Sequence, residues 1–224
     1  ERGEWNLNGE TIVFDTAGRL VQGQHRLTGV VRSNVSITSF VVRGVDTEVF
    51  ATFDMGKRRS ASDALTLDGK NNTHALGTAA RAIAIYADGE LARATFTPSQ
   101  ALAVVKAHPL LEYWTHRFRG SPMRHFMPGA FIGLMTLFHE RFGADAAETF
   151  FEQVATGEGL VKKQPAYVLR EKFSKRARGV IITNGVATAA IIKAMNAFIT
   201  GKEVQVLRWA EGEEMPRFVA ARSA

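Results

Sequence analysis

The hydrophobic period of this chain changes once, near Lys57, and that change limits what it can fold into. Before Lys57 the apolar residues fall in short runs separated by turn-forming residues. After it they recur at helical spacing for most of the remaining length. Thr11-Ile12-Val13-Phe14 reads as a strand, Asp15-Thr16-Ala17-Gly18 as a tight turn and Arg19-Leu20-Val21 as the returning strand of a hairpin. Gly23 breaks that strand. Gln24 to Ser33 follows as a helix with Leu27, Val30 and Val31 on one face, and Ser36 to Arg43 as a β-branched strand. Asp46 can cap a short helix running to Phe53, with Glu48 in its first turn.

Beyond the change, Ser60 with Asp63 resembles a capping box, and Thr97-Pro98-Ser99-Gln100 is a complete helix start. Helices are expected over residues 73–88, 110–118, 129–142, 145–155, 166–175 and 186–199, with Val204 to Trp209 as a last strand. The expected fold class is therefore α+β: a small mixed sheet with helices, followed by a mainly helical region. Residues 1–58 are assigned to the first unit and 59–224 to the second.

Composition narrows the chemistry. No cysteine is present, which removes disulfides, thiol nucleophiles and cysteine-ligated metals, and leans towards a cytoplasmic location. The six histidines show no metal-binding spacing, so no metal site is assigned from them. No apolar run approaches the roughly 20 residues that span a bilayer, so no membrane partner is expected. The 28 basic residues outnumber 22 acidic ones, a surplus that suits polyanions and equally suits a solvated basic surface.

The turn Gly23-Gln24-His25-Arg26 has the parts of a phosphate cradle. A glycine turns the chain sharply and lets a ligand approach. The first N–H groups of the helix are unpaired, and the helix dipole favours negative charge there. Arg26 offers a donor fork and His25 a further hydrogen bond. A second candidate anion site is Lys57-Arg58-Arg59-Ser60, three cations ahead of a helix start; the alternative is an exposed basic turn. Lys172, Lys175, Arg176 and Arg178, with Tyr167 and Phe173 interleaved, are candidate DNA contacts, or a solvated face with Phe173 in the core. Asp54 is the candidate catalytic acid or magnesium ligand, and could equally pair with Lys57 or Arg58.

The stretch Gly18-Arg19-Leu20-Val21-Gln22-Gly23-Gln24-His25-Arg26-Leu27 resembles the G-x-L-x-D-G-Q-H-R-L signature of ParB-like proteins from phages and mobile elements. That superfamily also includes sulfiredoxins and free-serine kinases. The resemblance continues through Val42 to Asp46 and Asp54 to Ala61, with weaker echoes at Lys193 to Ala197 and Trp209 to Pro216. It implies a nucleoside triphosphate, with magnesium as a candidate companion, bound through Gly23, Gln24, His25 and Arg26, with Gln22 beside them. It also implies association with DNA. Sulfiredoxin repair is excluded, because Gln24 stands where that chemistry needs cysteine. Gln22 replaces the family's acid before the glycine, which favours a nucleotide-binding protein over the alternative of a nuclease or phosphotransferase. A scaffold that has lost its ligand is the third reading. Which nucleotide is bound, and in what oligomeric state, the sequence leaves open.

Overall fold

The computed structural model describes residues 5–7, 9–46, 60–88, 96–177, 179–210 and 212–221, without the side chains of Arg176 and Ala177. Backbone contacts divide the chain into two units, Glu1–Arg58 and Arg59–Ala224.

The first unit is built on β1 (Thr11–Asp15), β2 (Leu20–Gln22) and β3 (Phe40–Val45), in the sheet order β2-β1-β3. β1 runs antiparallel to β2 and parallel to β3, so the sheet is mixed. The helix α1 (Gln24–Ser33) lies between β2 and β3 in the chain. Asp15 fixes the hairpin. Its buried carboxylate accepts hydrogen bonds from the N–H groups of Ala17 (2.9 Å) and Arg19 (2.8 Å), and from Nε of Arg19 at 2.7 Å. Gly18 closes the turn with φ 76°, where a side chain would strain the backbone. The Arg19 backbone N–H, followed by its guanidinium, holds the Asp15 carboxyl below the usual carboxylate range against the opposing effect of burial. Arg43 stacks its guanidinium over the Phe14 ring, 4.7 Å from the centroid. Among the described residues burial is thin in this unit. Ile12 and Val13 are buried on β1, whereas α1 has no fully buried residue and Val31 is 79 % exposed.

The second unit is helical: α2 (Ala61–Leu67), α3 (Thr73–Asp88), α4 (Pro98–Ala107), α5 (Leu110–Gly120), a 3-10 turn at Pro122–His125, α6 (Ala130–Phe142), α7 (Ala144–Thr156), α8 (Pro165–Ala177) and α9 (Asn184–Ile199). The capping signals act as their chemistry requires. Ser60 and Asp63 form a reciprocal box at α2, Thr97 and Gln100 another at α4, and Thr183 caps α9. Trp114, Phe131, Phe138, Phe150, Phe151 and Phe173 are fully buried in one aromatic-rich core. α3 and α6 cross closely at Gly133, where a Cβ would come 2.5 Å from the Ala79 carbonyl oxygen. Among the described residues no helix is long and apolar enough to cross a membrane.

The last strand expected at Val204 to Trp209 is not formed. The segment has no ladder partner among the described residues; instead Lys172 and Lys193 donate to the Leu207 and Arg208 carbonyls. β-branched alternation gives the segment a strand's composition, but the helices on which it lies offer no sheet edge.

Candidate functional site

The turn between β2 and α1 is set by one close approach. Gly23 has φ 103° and ψ 10°, a left-handed conformation, and a Cβ there would lie 3.0 Å from Ile12 Cγ1 and 3.2 Å from Ile12 Cα. Ile12 is itself held in β1, so the turn presses on the sheet and only glycine fits without displacement. The first helical bond runs from the Leu27 N–H to the Gly23 carbonyl at 3.0 Å. The N–H groups of Gln24, His25 and Arg26 therefore have no helical partner. Among the described residues no side chain caps α1, and no acid lies in its first turn. Gln24 and His25 are exposed beside these groups, as is Gln22 at the end of β2.

Arg26 points elsewhere. It lies one position further into α1 and turns back to β1, where it donates to the Thr11 carbonyl at 3.0 Å and forms a short ion pair with Glu10. Only 18 % of its side chain is exposed. The fork expected to grip phosphate is thus committed to tying the helix to the sheet. What remains open at the turn is the backbone N–H groups and His25.

The other expected site residues fare unevenly. Lys57, Arg58, Arg59 and Asp54 lie outside the described residues, as do Glu48 and Arg178; of Arg176 only the backbone is described. Ser60 caps α2. Its N–H and hydroxyl both donate to the Asp63 carboxylate at 2.8 Å. Lys172, expected as a DNA contact, is tied to another part of its own chain. Its ammonium donates to the Leu207 carbonyl at 3.0 Å, and burial lowers its pKa. Phe173 is wholly buried and cannot stack on a base. Lys175 is exposed.

The helical unit also holds a cavity of about 660 Å³ lined by Thr78, Arg81, Gly129, Thr183 and Asn184 among others. The starts of α6 and α9 converge on α3 there, a tertiary fact that no local pattern carries.

No protein family, curated protein or solved structure matches this chain. The functional reading rests on the site itself and on the likeness of its residues to the ParB-type signature.

Proposed function

We propose that the first unit binds the phosphates of a nucleoside triphosphate at the β2–α1 turn, as a ParB/sulfiredoxin-like nucleotide-binding protein. The observation that carries this is the helix start: an uncapped, acid-free N-terminus behind a left-handed glycine, with exposed Gln24 and His25 at its rim. Free N–H groups aligned with the helix dipole attract an anion, and polyphosphate is the anion that the motif resembles. Gln24, His25 and Gly23 provide the direct contacts. Arg26 contributes by fixing the helix against β1, through Thr11 and Glu10.

The reading is a binder rather than an enzyme. Phosphoryl transfer needs a base or metal to orient the attacking oxygen, and Gln22, next to Gly23, cannot take a proton near neutral pH. An association with DNA would draw on exposed Lys175 and, beside it, Lys172, which also donates to the Leu207 carbonyl.

The decisive variant is Gln24→Glu. A carboxylate in the first turn interacts favourably with the helix dipole, worth about 0.3–1 kcal/mol, so the free protein melts at the same temperature or slightly higher. The same carboxylate repels phosphate. Unmodified protein therefore gains melting temperature with triphosphate and Gln24→Glu does not. A full ligand response in Gln24→Glu places the phosphates elsewhere. Arg26→Ala lowers the melting temperature of the free protein, because it breaks the tie to the sheet.

A further inference from the structure

The C-terminal segment of the helical unit is held in an unusual manner. Residues 214–221 form neither helix nor strand, and among the described residues no main-chain bond joins 215–221 to another element. Side chains satisfy its backbone instead. Asn196 on α9 donates from Nδ2 to the Arg217 carbonyl at 2.8 Å and accepts from the Val219 N–H at 3.0 Å. This single amide therefore pairs with both sides of Phe218, as a neighbouring strand would. Tyr86 on α3 accepts the Phe218 N–H at 2.9 Å, and Arg141 on α6 donates from Nε to the Val219 carbonyl at 2.8 Å. The Phe218 ring is buried against Tyr86, Phe138 and Phe142, with centroids 5.2, 6.0 and 6.2 Å away. Arg217 stacks over the ring of Tyr86, 4.8 Å from its centroid.

Three helices thus read an extended peptide: main-chain groups by fixed side-chain donors and acceptors, and one aromatic anchor by a ring-lined pocket. Proteins bind extended peptides in this way, with main-chain hydrogen bonds giving affinity and a pocket giving specificity. A segment held without ladder bonds can leave without unravelling a helix or sheet. We propose that this face of the helical unit is a peptide-recognition groove, that Arg217-Phe218-Val219 is its tethered ligand, and that the same segment of a second copy exchanges with it. Tethering makes docking of the chain's own segment intramolecular, so the groove is self-occupied in dilute solution and exchanges between chains when they are concentrated.

The probe is a labelled peptide of residues 213–221, standing in for the second copy's segment. Full-length Phe218→Ala has an intact groove and no anchor. It binds the peptide saturably, and the unmodified chain binds it about tenfold more weakly because its own tail competes. A peptide with Ala at the Phe218 position does not bind, and Asn196→Ala combined with Phe218→Ala abolishes binding. Mixing Phe218→Ala chains with Asn196→Ala chains yields a one-to-one dimer by sedimentation that neither forms alone. Folded Phe218→Ala that ignores the peptide overturns the groove, and peptide binding without the mixed dimer overturns the second copy as partner. If Phe218→Ala fails to fold, hydrogen exchange on the unmodified chain decides. Excess peptide must speed exchange of the chain's own Phe218 and Val219 amides, and unchanged exchange refutes the proposal.

Discussion

Val31 and Phe138 both belong to an apolar stripe at helical spacing, and from their neighbours in sequence both should face a core. Phe138 is fully buried, with the rings of Phe142, Phe150, Phe198 and Phe218 around it. Val31 is 79 % exposed on a helix with no buried residue. An apolar stripe states that a helix has a face to cover, while the number of elements stacked on it decides how far that happens. The helical unit has many helices converging on one core. The sheet unit has one helix and three strands among its described residues, and it relies on directional devices instead: the Asp15 turn, the Gly23–Ile12 contact and the Arg26 tie. Among the described residues, one unit shows extensive burial, and the other shows mostly polar ties and close backbone geometry.

The largest test of that contrast is Phe138→Ala, which removes a ring from a packed core and costs about 3–5 kcal/mol in urea unfolding followed by helical circular dichroism. Val31→Ala, the matched change in α1, stays within about 0.5 kcal/mol. A cost for Val31→Ala near that of Phe138→Ala would break the comparison.

Next in size is Gly23→Ala. A left-handed conformation costs an L-residue about 1–2 kcal/mol, and the contact with Ile12 adds to it. The loss should appear as faster amide exchange across β1 and α1. Exchange at unmodified rates would show that the turn is not held by this approach.

Acid probes the same unit through Asp15. Its carboxyl is held below its ordinary value of 3.8, chiefly by the Arg19 backbone N–H. A depressed carboxylate contributes stability that is complete above the ordinary value and is lost as pH falls through the lowered one. Protection of the Arg19 and Ala17 amides should therefore hold down to about pH 4 and fall below it. Asp15→Asn, measured by the same exchange, should show weaker protection at neutral pH and little further loss in acid.

The smallest effect has the opposite sign. Gly29 lies within α1, and a Cβ there meets nothing within 4 Å. Gly29→Ala should stabilise the sheet unit by about 0.5–1 kcal/mol by thermal melting, through the entropy of the unfolded chain.

Local signals gave what local physics controls. The α3 bounds Thr73–Asp88, the capping boxes at Ser60 and Thr97 and the turn at Asp15–Gly18 follow from hydrogen bonds between residues a few positions apart, so they are legible in the residues themselves. The α+β division near Lys57 is legible for a related reason, since periods of two and of 3.6 leave different traces in the order of apolar residues. Long-range choices were not legible. Whether Arg26 turns outward to a ligand or back to Thr11 and Glu10 depends on where β1 passes, and Lys172 became a tie because the Leu207 carbonyl came within its reach. Val204 to Trp209 had a strand's composition without an edge to join, and Phe218 found its pocket from residues on α3 and α6, far away in sequence. Short-range hydrogen bonding and hydrophobic period are written in the order of the residues. The partner of a long, charged or aromatic side chain is fixed only when distant parts of the chain are brought to the same place, because its reach admits several partners and packing selects one.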